Sequence, residues 1–404
     1  MPTMTRQTRR DTVGKSSHQL SLDTVTLSFL ALVGCLVTFG LVIVHAAIQG
    51  SSSYSFMKQI FGVCLGIMLM LALWRFDYHD FAGLIMPLLI IDVLLLLSPR
   101  LPLIGVSVNG ARSWVNLLGF RFQPGEPAKI VTILLLAAVV VRYHGNLNSG
   151  RDYLKVLGIC AVPFVCIMMQ PDLGSGLVML IIAATILFVG GANRKWLLIT
   201  IAVCIVCIAI MLALDPVLDR AAGHDVFIKD YQMNRLLVFV NTDLDPSGAG
   251  YNLRQAKIAV GSGGLLGTGL GKGTQSAMGF LPEAPTDFIF CVVGEETGFV
   301  GATLLLSLYL LFFYRGFRIA RTVTDLYGTL IVAGAIGMWT FQVLENIGMD
   351  IGLMPITGIP LPFMSYGSSM MLANFMAVGL ILSVWRHRGV DSANASSALD
   401  GPAV

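Results

Sequence analysis

The stretch TLSFLALVGCLVTFGLVIVHAAI, residues 26–48, holds no acidic or basic side chain apart from His45. As a helix it would be about 34 Å long, enough to cross the hydrocarbon core of a bilayer. A polar arm carrying Arg6, Arg9, Arg10 and Lys15 precedes it. A cleaved export signal has an apolar core of only about 7–15 residues. The run therefore reads as a retained membrane helix.

Outward from it, nine further apolar runs follow at about 59–74, 81–99, 127–143, 154–170, 173–191, 196–214, 287–314, 326–347 and 368–385. Overall, 55% of the 404 residues are hydrophobic, 12% are charged, and mean hydropathy is +0.79. No ordinary soluble domain has that balance. The expected fold is an all-α polytopic membrane protein with ten transmembrane helices. Residues 1–25 form a cytoplasmic basic arm, 26–388 the ten-helix domain, and 389–404 a flexible cytoplasmic tail. Gln170-Pro171-Asp172 makes a tight turn between the fifth and sixth helices, because proline stops a helix. One connection is long, residues 215–286 between the seventh and eighth helices.

The seven cysteines fall in or beside apolar runs and read as small buried hydrophobes. Cys204 and Cys207 form a C-x-x-C inside an apolar helix with no second Cys/His pair, which argues against a redox or zinc site. A net charge of +3 does not point to nucleic acid.

Basic residues set the orientation, since cytoplasmic loops carry the excess of Lys and Arg. The arm, Arg75, Arg142, Arg151, Lys155, Arg194, Lys195, Arg315, Arg318, Arg321, Arg386 and Arg388 all fall on one side. Both termini are therefore expected in the cytoplasm. Arg100, Arg112, Arg121 and Lys129 gather instead on the outer side, between the third and fourth helices. Cations kept where they are disfavoured suit an anionic ligand, or pairing with nearby acids or lipid headgroups.

The unusual motifs share that outer side: NGARSW (109–114), FQPGEPAK (122–129), QPDLGSG (170–176), YQMNR (231–235), GAGYNLRQAKIAVGSGG (248–264), GFLPEAPTDF (279–288) and MPITGIPLPFMSYGSS (354–369). Residues 261–275, GSGGLLGTGLGKGTQ, invite a nucleotide-loop reading, but Lys272 is followed by Gly273 rather than Ser or Thr, and no register gives G-x-G-x-x-G. Those glycines are expected to let the long loop pack closely on the bundle, with Lys272 as a candidate phosphate contact.

Each acidic motif residue has a structural and a chemical reading. Glu126 and Lys129, three apart, lie on one helix face and either start the fourth helix or present a charge pair at its outer edge. Asp172 either caps the sixth helix or joins a site. Asp287, beside Thr286, either complements the dipole of the eighth helix or acts as a general base at the mouth of the bundle. Asp92, Glu295, Glu296 and Glu345 lie deeper, where ionised groups are costly, and suit structural hydrogen bonding as well as catalysis. Prolines 355, 360 and 362 with Gly352, Gly358 and Gly367 make 352–367 an irregular segment dipping at the outer surface.

Taken in order, NGARSW, RFQPGEPAK, QPDLGSG, GAGYNLRQAKIAVGSGG, GFLPEAPTDFIF, GEETGF and PITGIPLPFMSYG make residues 25–388 resemble the SEDS (shape, elongation, division and sporulation) proteins. RFQP, GFLPE and NIGMDIGLMPITGIPLPF look more like the RodA elongation branch than the FtsW division branch. The resemblance implies a peptidoglycan glycosyltransferase of the cytoplasmic membrane, polymerising the lipid-linked disaccharide-pentapeptide, lipid II, on its outer face. It implies a class B penicillin-binding protein, the cross-linking transpeptidase, as partner, within the cell-elongation machinery. It places the essential aspartate at Asp287. Glu126, Lys129 and Asp172 match motif positions, and Arg112, Trp114, Lys272 and Ser365 complete the expected substrate-binding set. A divalent cation, Mg or Mn, at Asp287 is an alternative to the base role; no nucleotide is expected. The chain departs from the family pattern at Pro285, where His is usual, at Ser368 and at Glu345. Two rival readings, a transporter of the lipid-linked precursor and a non-catalytic scaffold, fit the outer clustering of the motifs less well.

Overall fold

The computed structural model describes residues 23–49, 54–102, 104–108, 111–117, 120–222, 229–277 and 279–388. Most of the basic arm and the tail 389–404 lie outside the described residues. The chain opens with helix α1 (Thr24–Ala47), whose first turn is capped by Asp23 accepting from Thr26 N–H at 2.9 Å. Helices α2 (Phe56–Arg75) and α3 (Ile85–Leu97) follow. After a small sheet come α4 (Gly125–Val141), α5 (Gly150–Met168), α6 (Leu173–Val189) and α7 (Arg194–Ala222). Beyond these lie the short α8 (Asp230–Val240), α9 (Ala249–Ser262) and α10 (Thr274–Ala277), then α11 (Ile289–Thr322), α12 (Leu326–Asp350) and α13 (Ser368–His387).

Each apolar run falls on one of these helices. Among the described residues six are long and apolar enough to cross a membrane: α1, α2, α7, α11, α12 and α13. The other four runs lie on α3 to α6, which are shorter or carry more charge. The protein is thus a mostly helical chain of the membrane-embedded kind.

Three expectations need correction. The fold is not all-α, because β1 (Gly105–Val108), β2 (Ala111–Leu117) and β3 (Phe120–Phe122) form an antiparallel sheet in the order β1-β2-β3, with Val106 opposite Trp114 and Val115 opposite Phe122. The sequence signal was present: Asn109-Gly110 between two alternating segments favours a hairpin, though those two residues lie outside the described ones. The segment 215–286 is not simply a loop either. Helix α7 runs on to Ala222, and α9 starts where Asp245 accepts from the N–H groups of Gly248 (2.9 Å) and Ala249 (2.8 Å). Finally, only Cys160, Cys166 and Cys291 are buried; Cys35, Cys64, Cys204 and Cys207 lie exposed on apolar helices. Where lipid covers a helix, an apolar side chain gains nothing from turning inward.

Two irregular segments are built into the bundle. Helix α11 is broken at Gly298 (φ 66°, ψ −164°), about two and a half turns in. A continuous helix would bond Phe299 N–H to the Glu295 carbonyl and Val300 N–H to that of Glu296. The glycine-rich stretch supplies all four partners instead: Thr268 and Gly269 donate to Glu295 and Glu296 (2.9 and 3.0 Å), while Phe299 and Val300 donate to Gly264 and Leu265 (2.9 and 3.1 Å). In an apolar medium those groups would cost several kcal/mol each if left unpaired. A Cβ at Gly263 would lie 1.9 Å from the Gly294 carbonyl, which is why glycine stands there. The second segment, 352–367, goes deep: Phe363 packs on Trp339, about three turns from the end of α12, at a centroid distance of 5.6 Å. Gln59 of α2 secures it, donating to Ser365 O at 3.3 Å and accepting from Gly367 N–H at 2.9 Å.

Candidate functional site

Asp287 sits in the turn ahead of α11. The Glu283 carbonyl gathers the N–H groups of Thr286 (3.1 Å), Asp287 (3.0 Å) and Phe288 (3.3 Å). Asn346 of α12 donates to the Asp287 carbonyl at 2.7 Å and to that of Ile359 at 2.9 Å, so one amide ties the turn to the deep segment. Gly358 (φ +75°) permits the approach: a Cβ there would lie 3.0 Å from Asp287 Oδ2. The Asp287 side chain keeps a partial opening to the surface. Burial nonetheless pushes its carboxyl up to about 7, and the Glu283 carboxylate adds to the rise while Arg235 opposes it. A carboxylate near 7 is suited to general-base work at neutral pH.

Arg235 escaped the sequence reading as a site residue. Helix α8 docks on the Gln170-Pro171-Asp172 turn, where Tyr231 Oη (2.8 Å) and Gln232 Nε2 (2.9 Å) both donate to the Pro171 carbonyl. One turn on, Arg235 donates to Thr357 O at 3.3 Å, and its Nη1 would lie 3.5 Å from the same Gly358 Cβ that approaches Asp287. The available signal was Tyr-Gln-x-x-Arg, which puts Tyr231 and Arg235 on one helix face.

The predicted residues divide. Asp172 caps α6, accepting from Ser175 N–H (3.0 Å) and Oγ (2.9 Å), and is reached by Gln123 Nε2 at 3.5 Å. Its negative charge also bears on Asp287, so it serves both readings. Lys129 and Glu126 pair at 2.7 Å, but inside the protein, with side chains 2% and 5% exposed. One turn deeper, Thr132 donates to Asp92 at 2.8 Å. Arg112 and Arg121 stand exposed on the sheet, with Trp114 partly buried beside them. Arg100 donates to the Met169 carbonyl, and Lys272 is exposed at the glycine-rich stretch. Ser365 is buried, its hydroxyl accepting from Leu361 N–H at 2.8 Å. Glu295 collects Thr274, Gln275 and Ser276, and Glu345 accepts from the Thr357 hydroxyl. Pro285 contributes its carbonyl, which takes Tyr366 N–H at 2.8 Å, and that bond needs no particular side chain.

Among the described residues no group of three His, Cys, Asp or Glu side chains could hold a metal ion. One or two carboxylates with substrate phosphates and water suffice for magnesium. The Asp287 turn offers no closed protein cage, so an ion there would rely on substrate phosphates and water for most of its ligands.

Fold and geometry define a polytopic helical membrane protein in which the Asp287 carboxylate lies in the turn ahead of α11, with Arg235 close by. Residues 20–389 match the family model described as cell cycle protein, the FtsW/RodA/SpoVE family. Stage V sporulation protein E of Bacillus subtilis is 36% identical over 93% of this chain and 99% of that one. Peptidoglycan glycosyltransferase MrdB of Escherichia coli is 35% identical over 89% and 92%. A solved structure described as "Structural coordination of polymerization and crosslinking by a peptidoglycan synthase complex" is similar with a TM-score of 0.74 and 30% identity, covering 90% of this chain and 98% of that one. Rod shape determining protein RodA of Thermus thermophilus follows at a TM-score of 0.65 and 29% identity, covering 90% and 97%. The chain belongs to the FtsW/RodA/SpoVE family, the SEDS proteins.

Proposed function

We propose that this protein is a peptidoglycan glycosyltransferase that polymerises lipid II into β-1,4-linked glycan at the outer face of the cytoplasmic membrane. The observation that carries the reading is the partly desolvated Asp287 beside Arg235, in a chain matched almost end to end by relatives named as glycosyltransferases of this kind. The acceptor's 4-hydroxyl oxygen forms a bond to the donor's anomeric carbon, and its proton passes to Asp287. The anomeric carbon's bond to phosphate breaks, its electron pair leaves with the polyprenyl diphosphate, and the centre inverts. Arg235 is the cation that meets the departing charge nearest the base, with the exposed Arg112 and Lys272 further out. As the alternative to the base role, Asp287 would hold a divalent ion, Mg or Mn, which would supply charge neutralisation at the leaving diphosphate.

Ten crossings with both termini cytoplasmic complete the proposal, the outer side being the one that bears the motifs. A class B penicillin-binding protein is the proposed partner, by analogy with the solved synthase complex, and elongation is the proposed setting. The test is polymerisation of labelled lipid II by the protein purified with its cognate transpeptidase, against Asp287→Asn. A loss of about 10²–10⁴-fold is expected for removing a general base. Equal polymer from the variant would exclude Asp287 as the base, and lipid crossing the bilayer without polymer would make the protein a transporter.

A further inference from the structure

Glu283 is an exposed residue in the left-handed backbone region, φ +55°. That conformation is disfavoured for any side chain with a Cβ and persists where neighbours over-determine it. The neighbours are specific. Tyr54, just ahead of α2, donates its hydroxyl to Glu283 Oε2 at 2.7 Å, and the Thr286 hydroxyl lies 3.2 Å from the same oxygen. Burial, with the Glu283 carboxylate adding, raises the Tyr54 phenol, so it remains a donor at any physiological pH.

Tyr54 is itself fixed. Its ring meets Tyr366 edge-on at 5.1 Å. The Tyr366 hydroxyl lies 3.3 Å from both the N–H and the carbonyl of Ser55, and Tyr366 N–H donates to Pro285 at 2.8 Å. A closed ring of contacts thus joins three segments distant in sequence: the connection between α1 and α2, the Asp287 turn and the deep segment 352–367. The same Glu283 whose carboxylate is held by Tyr54 offers the carbonyl that collects Thr286, Asp287 and Phe288.

We propose that Tyr54 is a positioning residue: by holding Glu283 it fixes the turn that presents Asp287, and so ties the connection between α1 and α2 to turnover. This rests on the glycosyltransferase reading and extends it to a residue that does not touch substrate.

The experiment uses the full chain with its cognate transpeptidase, each variant matched to wild type in elution and melting temperature. Two readouts are taken: steady-state polymerisation, and hydrogen exchange at the Thr286 and Asp287 amides. Tyr54→Phe is expected to lower kcat about tenfold with KM within about twofold, and to speed exchange about tenfold, the scale of one lost hydrogen bond to a charged group. Glu283→Ala should reproduce both effects and add little to Tyr54→Phe, since the two act as a unit. Glu283→Gln, whose amide oxygen still accepts, should keep exchange near wild type, and its kcat is compared with wild type at a pH well above 7, where Asp287 is ionised whether or not the Glu283 charge is present.

Unchanged exchange in Tyr54→Phe overturns the latch. Faster exchange with unchanged kcat overturns its link to turnover, and a Glu283→Gln loss equal to that of Glu283→Ala shows that charge, not the hydrogen bond, matters. If the wild type makes no polymer, the glycosyltransferase reading fails, and exchange alone decides whether Tyr54 holds the turn.

Discussion

Helices α7 and α13 are both apolar enough to cross a membrane, yet the more apolar one packs less. The most apolar 18 residues of the α7 span Arg194–Asp215 have a mean hydropathy of 3.2, and none of those 18 is buried in the protein. In the most apolar 18 residues of α13 the hydropathy is 1.6 and 83% are buried. Lipid tails are as apolar as leucine, so hydrophobicity drives a helix into the bilayer and does not choose its neighbours. What distinguishes α13 is close approach and polar adhesion. Added Cβ atoms at Gly62 and Gly66 of α2 would lie 2.7 Å from Ser368 and 2.5 Å from Phe375, and one at Gly379 would lie 2.7 Å from the Met70 carbonyl. Ser369 accepts from Gln123 N–H at 2.9 Å, and Asn374 accepts from Trp339 Nε1 at 2.8 Å. The packed side of the molecule therefore also braces the motif segments.

The contrast can be broken most forcefully where charge is buried. Glu126→Ala leaves the Lys129 ammonium without its carboxylate inside α4, and is expected to cost about 3–5 kcal/mol, read as a collapse of the melting temperature or loss of a monodisperse peak in detergent. Gly379→Val pushes a side chain against backbone of α2 and should cost about 1–3 kcal/mol on the same melting curve. A smaller effect concerns the braced site. Because Asp287 must be ionised to act as a base and its pKa is raised to about 7, polymerisation should fall as pH drops through about 7. Arg235→Gln removes a charge that opposes the rise, so the midpoint should move to higher pH; a downward move would remove Arg235 from the site's electrostatics. At the weak end, Ile205→Ala on exposed α7 should change the melting temperature by no more than about 0.5 kcal/mol warrants. A large loss there would mean that α7 packs against protein and not lipid.

Local sequence determined a good deal. Ten apolar runs became helices because a chain in hydrocarbon must satisfy its backbone within each segment, a rule that acts on consecutive residues. The Glu126–Lys129 pair and the Asp172 cap were legible because they span three residues of one helix. Even the small sheet carried its signal in Asn109-Gly110.

Tertiary structure alone decided the rest. Arg235 faces Asp287 because α8 docks on the Pro171 carbonyl, and Tyr54 reaches Glu283 across 229 positions of sequence. The stretch 261–275 reads as a nucleotide loop that fails its pattern, and its actual work is to complete the hydrogen bonds of a helix broken at Gly298. No local rule announces such pairings, because each depends on where a distant segment leaves a carbonyl or an N–H unpaired in a medium with no water to take it.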